Sequence, residues 1–438
     1  MTDTALKRLL AEIIADNQNR PFLELLPRRV RIATIENKAT VVLGVRRSGK
    51  TSLLHQLQRQ LLDQGVDPKN IVEINFFDDR LQTLTAETLG LITEAYYEQF
   101  PEKKGEEKVY FFFDELQEIK GWERFVERLQ RTEISEIYIT GSSSAMLSKE
   151  IASQMGGRAL SHELFPLSFA EYLDFQGIRF SDASSKTRLI LQKEFRQYLQ
   201  SGGFPEVQFQ DRTTRRLIHQ EYYKAIVNRD VVVRHDVRHP RAVNNLAHRL
   251  VSSSASLYTT NRLYQYLRSQ SHRLSKDFVA DCLEWFEDSY FLFSTYIRDQ
   301  SLNRRQVNPR KIYCVDHGAI RSLIPPSHHD QGRLLETLVF VELRRRGLAP
   351  FYYKTDSNYE VDFAVDSLSG DLKLIQVALH LEDPKTRKRE LRALLDAMAE
   401  QKLEKALLLT MDDQETIRES GRTIEVLPVW RFLLEQLI

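Results

Sequence analysis

The run Gly44-Val-Arg-Arg-Ser-Gly-Lys-Thr51 follows directly on the β-branched stretch Ala39-Thr-Val-Val-Leu43 and leads into Leu53 to Leu62, a segment of helix formers. A strand that ends in a glycine turn and re-emerges as a helix aims several backbone N–H groups at one spot. Glycines keep side chains out of that spot, so what fits it is the oxygens of a phosphate chain. Gly44, Arg47, Ser48, Gly49 and Ser52 then belong to the cradle. Lys50 is placed to neutralise the outer phosphates of ATP, and the Thr51 hydroxyl to ligate Mg²⁺.

A second run completes the reading. Val109-Tyr-Phe-Phe-Phe-Asp114-Glu115 is an apolar strand ending in two carboxylates, some sixty residues after the glycine turn. Asp114 is expected in the Mg²⁺ shell and Glu115 beside the attacking water, which is the acid pair an ATP hydrolase needs. Ser142, in Thr140-Gly-Ser142, is a candidate sensor of the terminal phosphate or else ordinary turn chemistry. Arg158, in Gly156-Gly-Arg158, either reaches a γ-phosphate, from its own chain or a neighbouring subunit, or makes a structural ion pair. Asp78-Asp79 reads equally well as a helix cap.

Around these motifs, further strands are expected at Ile71–Phe76, Glu136–Thr140 and Leu160–Phe165, with helices at Ala86–Tyr97 and Trp122–Thr132 between them. Strand alternating with helix implies an α/β fold with a mostly parallel sheet, here a P-loop ATPase domain over 1–175 with N-terminal helix. Residues 188–322 read as a helical domain. Three helices (Val243–Ser254, Thr260–Arg268, Ser275–Glu287) and two strands (Phe291–Ile297, Lys311–Val315) flanking the loop Arg298–Arg310 give the element order of a winged helix. Beyond Pro325-Pro326, residues 330–438 alternate again and form a third, compact α/β unit.

The net charge of +1 conceals a bias: Arg212 to Lys311 holds 18 Lys/Arg against 9 Asp/Glu. That excess is either solvated helix faces and ion pairs or an electrostatic footprint for DNA. If it is a footprint, the loop residues Arg298, Arg304, Arg305, Arg310 and Lys311 are the expected contacts, because Asp281, Glu284, Glu287 and Asp288 on the third helix would repel a phosphate backbone. No run of about 18 apolar residues occurs, so no membrane partner is expected and a cytoplasmic location follows by default. Cys282 and Cys314 read as buried small hydrophobes.

With those residues in view, the chain resembles bacterial and archaeal AAA-type ATPases of the AAA+/STAND borderland that carry a C-terminal domain of unknown function. The resemblance rests on the glycine run, Phe-Phe-Asp-Glu-Leu-Gln from Phe112, Ile-Thr-Gly-Ser-Ser-Ser from Ile139, Gly-Gly-Phe-Pro-Glu from Gly202 and Asn-Arg-Asp from Asn228. It implies an ATPase, expected as a homo-oligomer. The C-terminal unit is similar to restriction-endonuclease-like folds, in which a helix glutamate, a strand aspartate and a Glu/Gln-x-Lys hold Mg²⁺. Glu336, Asp362 and Gln376 fall at those places, but Ala378 stands where the lysine belongs, which implies a degenerate nuclease-like site without nuclease activity. Glu360, two residues from Asp362, shares its strand face. The expected function is ATP hydrolysis coupled to DNA binding or remodelling; the alternatives are a nucleotide-controlled signalling or defence switch acting on a protein and, last, a metal-dependent nuclease.

Overall fold

The computed structural model describes residues 2–21, 25–142, 157–180, 184–325, 330–367 and 369–435, so Gly156 and Pro326 lie outside the described residues. Two compact units follow one another, Met1–Leu164 and Phe165–Ile438.

The first unit is built on a five-stranded sheet in the order β2-β3-β4-β1-β5. The strands are β1 (Ala39–Leu43), β2 (Ile71–Asn75), β3 (Val109–Asp114), β4 (Ser135–Gly141) and β5 (Ala159–Glu163). Every neighbouring pair is parallel, as expected. Four helices pack on it: α1 (Asp3–Asn19), α2 (Lys50–Asp63), α3 (Leu91–Gln99) and α4 (Glu123–Thr132). The three phenylalanines of β3 explain how both faces become covered. Phe112 stacks on Tyr138 at 4.5 Å and joins the α2 side chains Leu53, Leu54 and Leu57. Phe111 and Phe113 point the other way, to Tyr96 of α3 and Phe125 of α4. A strand buried on both sides reads as a continuous apolar run, which is why its alternation was invisible in sequence. Helix α3 starts five residues later than the Ala86 expected, because residues 86–90 form turns.

The second unit opens with α5 (Phe169–Phe175), α6 (Ser185–Ser201) and α7 (Arg212–Ala225), which runs into a π-helical stretch, Ile226–Val233. Next come α8 (Pro240–Ser252), β6 (Ser256–Tyr258), α9 (Thr260–Ser269), α10 (Lys276–Asp288), β7 (Leu292–Thr295), α11 (Leu302–Val307) and β8 (Arg310–Cys314). The strands form an antiparallel sheet in the order β6-β8-β7. Thr259 and Ser275 cap α9 and α10, accepting from Arg262 N and Phe278 N at 3.2 and 3.1 Å. Between α8 and β8, two elements were missed. β6 is too short for a two-residue period to register, and α11 occupies part of the loop expected at 298–310.

After α12 (His317–Leu323), α13 (Gln331–Arg345) leads into a six-stranded mixed sheet in the order β13-β14-β12-β11-β10-β9. Its elements are β9 (Phe351–Lys354), β10 (Glu360–Asp366), β11 (Leu372–Val377), α14 (Pro384–Glu400), β12 (Lys405–Thr410), β13 (Glu415–Glu419), β14 (Arg422–Pro428) and α15 (Val429–Leu434). β9, β10 and β11 form an antiparallel meander, and α14 carries the chain over to β12, parallel to β11. The middle and C-terminal parts pack together as one compact unit, Phe165–Ile438. Helix α13 is buried all round from Leu334 to Leu343, the mark of a helix packed between layers. Tyr313 of β8 stacks on Phe340 of α13 at 4.1 Å and meets Phe363 of β10 at 5.9 Å. Ile297, beyond β7, bridges to Tyr352 of β9, so the edge of the large sheet is partly covered. Cys282 and Cys314 are buried and free. Among the described residues no helix is long and apolar enough to cross a membrane.

Candidate nucleotide-binding site

β1, β3 and β4 end at the same edge of the parallel sheet, and their last residues meet there. Gly49 is left-handed at φ 97° and supplies no side-chain cap to α2, so the first N–H groups of that helix stay directed at the turn. Gly44 has no room for a side chain: a Cβ would lie 2.1 Å from the Leu164 carbonyl oxygen. The Ser48 hydroxyl is buried with no hydrogen-bond partner among the described residues. An orphaned hydroxyl inside a glycine turn fits an anion that supplies the missing acceptor.

Lys50 is buried, and its ammonium reaches the carbonyls of Gly44 and Val45 at 3.1 and 3.4 Å and Glu115 Oε1 at 3.6 Å. The Thr51 hydroxyl donates to Asp114 Oδ2 at 2.8 Å, and Asn75 Nδ2 lies 3.3 Å from the same oxygen. Thr51 and Asp114 are therefore the pair that could hold a metal ion against a phosphate. Glu115 sits at φ 57°, a left-handed conformation uncommon for any residue but glycine, asparagine and aspartate. Its N–H donates to Thr140 Oγ1 at 2.9 Å, while the Thr140 hydroxyl donates to Asp114 Oδ1. Gln117 holds one Glu115 oxygen. Burial pushes the Glu115 carboxyl up, but Lys50, Gln117 and Arg46 together outweigh it and keep the carboxyl below its ordinary range. Asp114 moves the other way, raised by burial and by the charge of Glu115.

Thr140, Asn75, Gln117 and Arg46 were not picked out in sequence. Nor was Arg28, whose buried guanidinium donates to the Ser48 carbonyl at 2.7 Å and braces the turn from the N-terminal segment. The Ser142 hydroxyl is buried near Glu115 without a hydrogen bond of normal geometry. Asp78 caps its own turn and binds Arg80. With Asp79 it lines a cavity of about 520 Å³ beside Thr51. Arg158 is a correction to the expectation that its own chain's phosphate is within reach. It precedes β5, whereas the site lies where the strands end, and a five-residue strand puts roughly 17 Å between the two edges. Its guanidinium pairs with Glu127 of α4 at 2.6 Å.

Residues 36–173 match the model of an AAA domain; 192–329 and 331–432 match two domains of unknown function, DUF8612 and DUF4143. The uncharacterized protein MJ1544 of Methanocaldococcus jannaschii is 32% identical over 440 residues, covering 98% of this chain and 96% of its own. The chain belongs to the MJ1544 family. An uncharacterized protein of Haemophilus influenzae is 29% identical over 343 residues, which are 78% of this chain and 83% of that one. Among solved structures, the Aeropyrum pernix ORC1 protein in complex with DNA covers 73% of this chain and 91% of its own, at 14% identity and a TM-score of 0.27. The first unit of this MJ1544-family chain, with its AAA-domain match over residues 36–173 and its glycine turn on a parallel sheet, has a P-loop ATPase-like fold.

In the second unit of this family member, Glu336, Asp362 and Gln376 do come together, and an ammonium is present. It comes from Lys311 of β8, which bonds Glu336 Oε1, Glu360 Oε1 and Asp362 Oδ1, each at 2.8 Å. Tyr313 donates to Glu336 at 2.7 Å. Gln376 accepts from Asp362 N and donates to Glu390 at 2.7 Å. Burial, then the charge of Asp362, pushes the Glu336 carboxyl up. Burial opposes the charge of Lys311, yet Asp362 and Glu336 hold it well above the usual lysine range.

Lys311 is accordingly no surface contact, because its side chain is 3% exposed. Arg298 forms a two-pronged pair with Asp366, both bonds at 2.9 Å. Arg310 lies over Tyr296 and Arg305 over Phe351, while Arg304 extends into solvent with Asp299 3.6 Å away. On α10, Asp277, Asp281 and Glu284 are exposed, but Glu287 is half-buried and accepts from Ser294 N.

Proposed function

We propose that this chain hydrolyses ATP at the Lys50–Asp114–Glu115 site and couples the cycle to DNA held by the second unit. The observation that carries the reading is Glu115: a buried carboxylate kept ionised by Lys50 and held in a left-handed conformation at the strand end, where a base must face a γ-phosphate. Thr140 ties that residue to Asp114, so base and metal-holding carboxylate move together. Mg²⁺ on Thr51 and Asp114 would supply charge neutralisation at the phosphates. The residues of the chain bind the nucleotide, orient the water and accept its proton at Glu115 Oε1 or Oε2.

For DNA, the support is the basic middle and its topology. Helix, strand, helix, helix and two strands in the order β6-β8-β7 suit a winged helix, with Arg304 and Arg305 on the excursion between β7 and β8 and Arg310 at the start of β8. The arrangement of α13, the meander β9-β10-β11, α14 and β12 likewise suits a nuclease-like fold serving as scaffold. ATP turnover measured with duplex, single-stranded and branched DNA tests the coupling. At least one form is expected to raise the Lys50-dependent rate several-fold. Indifference to all three would favour the second reading, a nucleotide-controlled switch acting on a protein, which draws support from the internal pairing of Arg298 and Lys311.

Arg158 enters this scheme only across a subunit boundary of a homo-oligomer. Mixing Arg158→Ala with Lys50→Ala chains should then restore part of the activity that each lacks, whereas no recovery in the mixture makes Arg158 an ion-pair partner of Glu127 and nothing more.

A further inference from the structure

In the second unit, far in sequence from the nucleotide motifs, three carboxylates converge on one point. Glu336 comes from α13, and Glu360 and Asp362 from one face of β10. A group of this make-up usually takes a divalent cation through its oxygens. Here the point is already taken. Lys311 places its Nζ at 2.8 Å from one oxygen of each acid, which uses all three ammonium donors. Two of the acids have a further partner. Tyr313, two residues along β8 and on the same face, donates to Glu336, and Val377 N donates to Asp362 Oδ2 at 3.0 Å. Among the described residues, no group of three or more His, Cys, Asp or Glu is arranged to hold a metal ion.

We propose that Lys311 is the resident cation of this cluster, an internal ammonium that fills a latent divalent-cation site and keeps metal out of it. The inference is independent of the nucleotide site. It relocates the reason why the C-terminal sheet should lack metal chemistry. The absence of a lysine at Ala378 is secondary, since an ammonium is present but stands in the cation's place instead of beside it. Glu360, with its side chain 30% exposed, is the route by which solvent and ions would reach the cluster. The same contact fastens β8 of the small sheet to β10 of the large one.

Nucleotide-free full-length protein titrated with Mn²⁺, with bound metal read by electron paramagnetic resonance, tests this directly. The parent is expected to bind no Mn²⁺ that Asp362→Asn removes. Lys311→Met, a side chain of similar length without charge, is expected to bind one Mn²⁺ per chain at least about 10-fold more tightly than the parent, and to lose it when Asp362→Asn is added. Because that variant leaves three buried carboxylates unpaired, Lys311→Met/Glu360→Gln repeats the test with one acid fewer. Asp362-dependent Mn²⁺ binding by the parent overturns the proposal. So does a folded Lys311 variant that binds none, and so does failure of both variants to fold even with Mn²⁺ present, since a site that metal cannot fill is not a cation site.

Discussion

Thr140 is the residue that joins the two acids of the candidate site. Its hydroxyl donates to Asp114 and accepts from the Glu115 N–H, so one side chain sets both the proposed metal-holding carboxylate and the proposed base. Thr140→Val keeps the shape and removes both bonds. A hydrogen bond to a buried charged group is worth about 1.5–3 kcal/mol. The variant is therefore expected to lose on the order of 10-fold or more in kcat with little change in KM for ATP, and Thr140→Ser to recover most of it. Steady-state kinetics of the two variants check this; an unaltered kcat in the valine variant would show that Thr140 positions neither acid. The glycine turn and the two acids after β3 could be read from sequence because their chemistry is local. The role of Thr140 could not, since a threonine at a strand end is ordinary until its partners are known. Arg158 and Lys311 were both legible in principle. A residue that precedes a parallel strand lies at the opposite edge from residues that follow one, which already separated Arg158 from Lys50. Lys311 shares a face of β8 with Tyr313, and a lysine buried on that face needs acids around it.

Among the elements, α11 and the strands beside it carry the proposed DNA contact. Charge counting put five cations here, but of these Arg304 alone is fully exposed: Arg298 is tied to Asp366, Arg305 and Arg310 lie half-buried over aromatic rings, and Lys311 is inside. Neutralising Arg304 and Arg305 together is expected to weaken binding to all DNA sequences alike and to flatten the log-log salt dependence by roughly two. Binding isotherms at several salt concentrations measure this, and an unchanged slope would make α11 a protein-facing surface. Two of the strands that escaped sequence reading share a cause. β6 is three residues long, and β13, Glu-Thr-Ile-Arg-Glu, is a polar edge hairpin whose pairing with β14 leaves no apolar period. Where a strand is very short or exposed on both faces, the backbone pattern has no counterpart in the side chains.

For the molecule as a whole, the α/β character and the order of parts were legible in sequence, whereas the packing of the middle part on the C-terminal part was not. The two pack as one unit because α13 is buried on all sides and Tyr313, Phe340 and Phe363 pack across it. Such a grouping depends on contacts between residues distant in sequence, which no local pattern records. The central claim is that this chain is an ATP hydrolase with Glu115 as its base. Phosphate release by the parent, Lys50→Ala and Glu115→Gln chains, with ATP binding measured alongside, tests it most directly. The account predicts that Lys50→Ala neither binds nor turns over ATP, while Glu115→Gln binds as the parent does and is slower by about 10²-fold or more. Glu115→Gln turning over ATP at the parental rate, or parental turnover surviving in Lys50→Ala, would contradict it.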